Sequence, residues 1–248
     1  MLPPDARHVD YEIVPLNIAD GCLYHCEFCC VKTAQPFRAR TREEVVEQIR
    51  RLKDFYGRNL ENYNGLFLGN HDALAAGKEA VLFAASEACL GLGFDERRAQ
   101  PPFLFLFGSV HSFLKAGLEF FDRLDRLPFY TYVNVGLESI DEQTLRMVGK
   151  PLKVAEVRDA FDKMLDINAK YGNIEVTGNF LIGDQLSSEH YRTLSELLRD
   201  APVSSKGKGA VYLSPLKDSP KRRELLPVFY ELKEESRIPV FAYLIQRL

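Results

Sequence analysis

Apolar residues along the chain follow two spacings. Short continuous runs of strand length give way to longer stretches in which apolar positions recur every three or four residues. The runs Ile13–Ile18 (broken only by Pro15), Leu66–Leu68, Phe103–Phe107, Tyr130–Leu137, Ile174–Ile182 and Ala210–Leu213 predict strands, and Val240–Ile245 a last one. The helical spacing predicts helices over Thr41–Tyr56, Glu79–Leu90, Ser112–Leu124, Glu142–Val148, Val154–Tyr171 and Ser188–Arg199. Thr41 and Glu44 stand as a capping box ahead of Val45, Ile49, Leu52 and Tyr56. Gly149-Lys150-Pro151 separates two of the helices. Ser219-Pro220 reads as an N-cap followed by proline at the first helical position, opening a helix towards Glu235 that Pro227 kinks or delays.

Strand followed by helix, repeated about six times, predicts a parallel sheet with helices outside it. Phe103–Phe107, apolar throughout and closed by Gly108, has the pattern of a strand buried on both faces. An open doubly wound sheet and a closed or nearly closed barrel share this alternation. Residues 1–248 read as one domain, because the only linker-like stretch, Val203–Gly209, is too short to separate two. In parallel α/β folds chemistry collects at the C-terminal ends of the strands. That rule puts four groups on one rim: the cysteines after the first strand, Gly69–Asp72 after the second, Glu138-Ser139 at the fourth and Gly183-Asp184 at the fifth.

Composition changes the picture in three ways. With 46% hydrophobic and 27% charged residues among 248, the chain buries a sizeable core and is not disordered. Its formal charge of -3 lacks the basic excess of a dedicated nucleic-acid binder. No apolar run is long enough to cross a bilayer, and Met1-Leu2-Pro3-Pro4-Asp5 has no signal pattern, so a cytoplasmic location is expected and no membrane partner.

Cys22, Cys26, Cys29 and Cys30 crowd together, and with no export signal they read as metal or redox ligands rather than disulfides. Cys22-Leu23-Tyr24-His25-Cys26-Glu27-Phe28-Cys29 places three thiols in a tight loop (residues 21–30). Such a loop can wrap three corners of an iron–sulfur cubane and leave one iron open. A structural zinc site is the competing reading. It needs a fourth ligand, from Cys30 or His25, yet adjacent residues such as Cys29 and Cys30 rarely point at one metal. Cys30 and Cys89 otherwise read as small buried hydrophobes.

The spacing C-x3-C-x2-C, with Phe28 just before the last cysteine and a position just after the first strand, resembles the signature of the radical S-adenosylmethionine (radical SAM) superfamily. Val135-Gly136-Leu137-Glu138-Ser139-Ile140-Asp141, followed by Thr144-Leu145 and Gly149-Lys150, is similar to the fourth-strand region of many members. The resemblance implies a partial (β/α)6 barrel of parallel strands with outer helices. It implies that Cys22, Cys26 and Cys29 hold a [4Fe–4S] cluster whose open iron chelates S-adenosylmethionine. One electron from an external flavodoxin- or ferredoxin-like donor would then cleave the cofactor to methionine and a 5′-deoxyadenosyl radical, which takes a hydrogen atom from the substrate.

The same resemblance assigns further cofactor contacts. Phe28 borders the adenine. Gly69 and Asn70 lie where a glycine-rich stretch meets the methionine amino group, with Asp72 as a further acceptor or a helix N-cap. Glu138 and Ser139 sit where the ribose hydroxyls or the methionine end bind; otherwise Ser139 caps the next helix and Glu138 pairs with a barrel lysine. Asn179 to Gly183 resembles the G-x-I-x-G stretch beside adenine, with Asn179 replacing the first glycine and Leu186 standing where an acid is often found. His71 and His111 follow strands and read as substrate-facing or, preferred, as solvated or capping residues; Arg38, Arg40 and Arg42 read as a solvated strip, preferred over one of them meeting the cofactor carboxylate or an anionic substrate. Lys206, Lys208, Lys217, Lys221, Arg222 and Arg223 make the region around the sixth strand basic, suited to an anionic group or to surface ion pairs. No residue is singled out as the catalyst. The substrate expected is a small molecule or peptide rather than nucleic acid. The rival functions are an RNA-modifying, methylthiotransferase-like enzyme, and a non-enzymatic iron–sulfur electron carrier or zinc-binding protein.

Overall fold

A computed structural model of the chain describes residues 12–24, 26–29, 35–69, 72–95, 101–202, 207–216 and 225–242. Nine strands are found there: β1 (Ile13–Asn17), β2 (Ala19–Asp20), β3 (Arg38–Ala39), β4 (Gly65–Gly69), β5 (Phe103–Ser109), β6 (Tyr130–Glu138), β7 (Ile174–Ile182), β8 (Val211–Pro215) and β9 (Val240–Ala242). Eight α-helices accompany them: α1 (Arg42–Tyr56), α2 (Lys78–Gly91), α3 (Val110–Lys115), α4 (Leu118–Leu124), α5 (Glu142–Met147), α6 (Val154–Lys170), α7 (Ser188–Asp200) and α8 (Leu226–Glu235). Seven strands form the main sheet in the order β1-β4-β5-β6-β7-β8-β9, so the fold is α/β with a mostly parallel sheet.

The chain divides into two compact units. The first comprises Met1–Leu23, Thr33–Asn134 and Tyr171–Glu175. In it β1 pairs with β4 in parallel, from Ile13 opposite Gly65 to Asn17 opposite Gly69, and β4 pairs with β5 from Gly65 opposite Phe103. Side chains alternate across these strands as a period of two requires. Val14, Leu16, Leu66, Leu68, Leu104 and Leu106 are buried. The opposite face carries Phe67, Phe105 and Tyr132, with Phe103, Phe107 and Tyr130 only partly covered. The all-apolar β5 therefore sends leucines one way and phenylalanines the other.

α1 starts where the sequence predicts. Glu44 N–H donates to Thr41 Oγ1 at 3.2 Å and Thr41 N–H to Glu44 Oε2 at 2.8 Å. The predicted helix over Ser112–Leu124 is instead two, α3 and α4. Ala116 and Gly117 adopt extended backbone between them, and Gly117 is a weak helix former. The hairpin β2–β3 was not expected, since two-residue strands carry no periodicity. Ala19 lies opposite Ala39 and Asp20 opposite Arg38, antiparallel.

The second unit comprises Tyr24–Lys32, Val135–Lys170 and Val176–Leu248. In it β7 pairs with β8 from Gly178 opposite Val211 to Ile182 opposite Pro215, and β8 pairs with β9, both in parallel. α8 has Pro227 in its first turn, where a helix tolerates proline. The expected opening of that helix at Ser219-Pro220 and the end of the last strand lie outside the described residues. No helix among the described residues is long and apolar enough to cross a membrane.

Candidate cofactor site

Cys22 belongs to the first unit, whereas Cys26, Phe28 and Cys29 belong to the second. In the first, the hairpin β2–β3 brackets the segment that carries Cys22. Asp20 receives Arg40 at 2.7 Å and Arg38 at 3.1 Å, and Arg38 also reaches Glu44 at 2.8 Å. The hydrogen bond from Arg40 is the main reason the Asp20 carboxyl sits below its ordinary value. Arg38 and Arg40 are thus occupied by carboxylates, and the Arg42 guanidinium lies 4.8 Å from the centre of the Phe83 ring. Gly21 has φ +76°, and a Cβ there would lie 2.3 Å from the Pro36 carbonyl oxygen. Only glycine meets both demands without strain.

Gly69 ends β4, and a Cβ on it would fall 2.3 Å from the Phe67 ring. Asn70, His71, His25 and Cys30 lie outside the described residues. Asp72 caps the short 3-10 helix over Ala73–Ala76 through Ala75 N–H at 3.1 Å. The same oxygen, Oδ1, accepts Ser112 Oγ–H at 2.7 Å, while the buried Oδ2 has no hydrogen-bond partner among the described residues.

In the second unit the turn at Cys26–Cys29 is held by its own backbone. Cys29 N–H donates to the Cys26 carbonyl at 3.2 Å, and Glu27 N–H to the Val148 carbonyl at 3.0 Å. Phe28 packs against Val148, Leu181, Leu186 and Leu216. Leu186, which stands where the family often has an acid, is thus part of an apolar support for Phe28.

Lys150 and Glu138 form the charged centre of this unit. Lys150 Nζ stands 3.1 Å from Glu138 Oε1, with side chains only 7% and 5% exposed. The alternative reading of Glu138 as the partner of a lysine is therefore what the structure contains. Burial alone would lower the Lys150 pKa. The charges of Glu138, Cys26 and Tyr24 and the Glu138 hydrogen bond outweigh it, so the value is raised and the ammonium stays charged. The ammonium also lies 5.6 Å from the Tyr24 ring centre and 3.4 Å from the Gly136 carbonyl oxygen. Glu138 Oε2 accepts Asn179 Nδ2–H at 3.4 Å, and Asn179 Oδ1 accepts Ser214 Oγ–H at 2.7 Å.

Local geometry explains how a lysine reaches this place. Gly149 N–H donates to Arg146 O and Lys150 N–H to Leu145 O, with Gly149 at φ +67°. This is a Schellman ending for α5, and Lys150 takes the position that usually holds an apolar residue packed against the helix. Gly136 supplies the room, since a Cβ on it would lie 2.6 Å from Glu138 Oε1 and 3.1 Å from Lys150 Nζ. Glu138 has φ +66°, the only positive φ outside glycine among the described residues. Ser139 N–H donates back to the Leu137 carbonyl at 2.9 Å, closing a three-residue γ-turn of the strained, positive-φ kind around Glu138. A carboxylate held in such a conformation costs about 1–3 kcal/mol.

Ser139 is fully buried and its hydroxyl is engaged, with His190 Nδ1 at 2.8 Å and Asp141 N–H at 2.9 Å. Asp141, not Ser139, caps α5, accepting from Gln143 and Thr144 N–H. The Gly183 N–H and carbonyl both bond the Tyr191 hydroxyl, at 2.9 and 2.7 Å. Sequence reasoning assigned no role to Lys150, Gly136, Ser214, His190 or Tyr191. The signal for Lys150 was its charge directly after a helix-ending glycine. Gly136 stood in the fourth-strand stretch two residues before Glu138; Ser214, His190 and Tyr191 had no signal, because hydroxyl and imidazole contacts between distant residues leave no spacing to read.

None of Cys22, Cys26, Cys29 and Cys89 is in a disulfide. Cys26 is buried, while Cys22 and Cys29 are partly exposed. Three thiols are the soft donor set an iron–sulfur cluster takes. Among the described residues no three or more His, Cys, Asp and Glu side chains already stand together as ligands of an ion. The fit therefore rests on thiol chemistry and spacing.

Comparison with known proteins adds the family. The sequence pattern of the radical SAM superfamily matches residues 16–198. No significant match was found among curated protein sequences. Among solved structures the chain is similar to Streptococcus suis SuiB bound to S-adenosylmethionine, with a TM-score of 0.59 at 10% identity over 93% of this chain and 50% of that one. SuiB bound to its precursor peptide SuiA gives the same score and identity, with 48% of that chain covered. The cobalamin-dependent S-adenosylmethionine radical enzyme OxsB, with aqua-cobalamin and S-adenosylmethionine bound, gives 0.52 at 16% identity over 91% of this chain and 31% of that one. The chain thus spans about half the length of SuiB and about a third of OxsB. With most of its length matched by the pattern, the chain belongs to the radical SAM superfamily, whose members use a [4Fe–4S] cluster and S-adenosylmethionine.

Proposed function

We propose that residues 1–248 act as one catalytic domain that carries out radical chemistry on a small molecule or peptide. Cys22, Cys26 and Cys29 hold a [4Fe–4S] cluster in this reading. When bound, cluster and S-adenosylmethionine supply reductive cleavage of the sulfur–C5′ bond and a hydrogen-abstracting radical, fed by an external flavodoxin- or ferredoxin-like electron donor. The chain's own groups receive the cofactor. Phe28, backed by four buried aliphatic side chains, offers an apolar edge to the adenine. Glu138, Asn179 and Lys150 offer an acceptor, an amide and a cation for the ribose and amino-acid ends. Gly69 and Asn70 are assigned to the amino group, and Gly183 to the adenine side.

The observation that carries this reading is the buried Lys150–Glu138 pair on a strained turn at the end of β6. Strained, desolvated charges gather at functional sites, because a fold gains nothing in stability from them. The net charge of -3 favours a small molecule or peptide over RNA. The test is anaerobic reconstitution with iron, sulfide, reductant and S-adenosylmethionine, followed by product analysis. Release of 5′-deoxyadenosine and methionine is expected, lost when any of Cys22, Cys26 or Cys29 is changed to alanine. Stoichiometric zinc without iron, or a loaded protein that yields no 5′-deoxyadenosine, refutes the reading.

A further inference from the structure

The mechanism above leaves one buried imidazole unused. His190 is fully buried in the first turn of α7, whose N-cap Ser187 accepts its backbone N–H at 3.0 Å. Its Nε2 lies 2.9 Å from the Leu181 carbonyl, which only accepts, so Nε2 carries the proton and donates. Nδ1 is then an acceptor, and Ser139 Oγ–H donates to it at 2.8 Å. Ser139 Oγ in turn accepts Asp141 N–H at 2.9 Å. The chain Asp141 N–H to Ser139 to His190 to Leu181 has a proton at every link. It ties Ser139, the last residue of the γ-turn, to the backbone of β7.

We infer that His190 is a positioning residue: through Ser139 it latches the end of β6 and holds Glu138 in the backbone conformation that presents its carboxylate to the cofactor. The inference rests on the reading that Glu138 faces S-adenosylmethionine. Two constraints keep Glu138 in its strained turn. One is its own ion pair with Lys150, the other this latch, which acts at Ser139, where the backbone hydrogen bond to Leu137 closes the turn. Ser139 belongs to the latch rather than to the cofactor's hydrogen bonds. Burial holds the His190 pKa below its ordinary value, in keeping with the neutral ring that the geometry requires.

Two substitutions split the latch. His190→Asn keeps an acceptor near the Nδ1 position, whereas His190→Gln keeps a donor near Nε2 and loses the acceptor. Ser139→Ala removes the same link from the other side. Each is made in the anaerobically reconstituted protein and read by S-adenosylmethionine affinity, by hydrogen exchange at the Ser139 amide and by melting temperature. His190→Gln and Ser139→Ala should each weaken cofactor binding about tenfold and speed Ser139 exchange by about the same factor, the effect of one buried hydrogen bond. His190→Asn keeps the acceptor for Ser139 and loses only the donor to Leu181, so it should lose clearly less than His190→Gln in both. Unchanged exchange and affinity in His190→Gln and Ser139→Ala overturn the latch. So does equal loss in His190→Asn and His190→Gln, which marks a packing role. Glu138→Gln is the control. If it too leaves affinity unchanged, the cofactor role of Glu138 has failed and the latch's purpose with it. If it weakens binding while the latch variants do not, only the latch has failed.

Discussion

The ion pair of Lys150 and Glu138 can be taken apart one charge at a time. At 3.1 Å and an effective dielectric of about 20, the gross attraction is about 5 kcal/mol. Removing two charges from water opposes most of it, so the pair adds little net stability. Removing only one charge is different. Lys150→Met leaves a carboxylate that is buried with only a long contact from Asn179, and Glu138→Gln leaves a buried ammonium beside Gly136 O and the Tyr24 ring. Each single change should cost about 3–5 kcal/mol. The double variant Glu138→Gln/Lys150→Met should cost less than either single, within about 2 kcal/mol of the parent, because no unpaired charge remains. Equilibrium urea unfolding of the four proteins, with unchanged slopes, gives the coupling energy. Additive losses, or singles that each cost under about 1 kcal/mol, would refute the claim that these groups are desolvated together.

Three further outcomes follow from single positions. Gly136→Ala puts a methyl 2.6 Å from Glu138 Oε1, so it should weaken S-adenosylmethionine binding in a folded protein; isothermal titration that finds parent-like affinity counts against the tight fit. Gly21→Ala forces a left-handed residue against the Pro36 carbonyl and should cost about 1–3 kcal/mol and lower the iron retained after reconstitution, by colorimetric assay. His190 has a depressed pKa in the fold, so its contribution to stability is full above about pH 6.5 and is lost as pH falls towards the folded value. Melting temperature should therefore drop between pH 7 and 5, and less steeply in His190→Asn; an identical slope would place the titration elsewhere.

Much of the fold was legible because its signals are local. The capping box from Thr41 to Glu44 is four residues long, and the apolar run at Phe103–Phe107 is its own evidence. What failed were features decided by a few residues without a period. α3 and α4 separate at Ala116-Gly117 although the apolar spacing runs on across the break. The hairpin of Asp20 and Arg38 is two residues deep and is stabilised by an ion network that reaches Glu44 on a helix. Its parts are spread from Asp20 to Glu44, further apart than the window of about 11–18 residues in which periodicity is read.

The site shows the same boundary more sharply. Glu138 carried two readings, a cofactor acid or the partner of a lysine; the structure contains the second, and the first is the proposal made above. A buried carboxylate without a counter-charge is costly. Lys150 supplies that counter-charge, and it reaches Glu138 because Gly149 ends α5 in a left-handed turn and Gly136 leaves the space. Pairing therefore prepares the charge for a ligand. A cofactor that brings both an ammonium and a carboxylate could exchange partners with such a pair without stranding either charge. The sequence displays Gly136, Glu138, Gly149 and Lys150 in plain order. Only the fold shows that the two glycines serve the one ion pair.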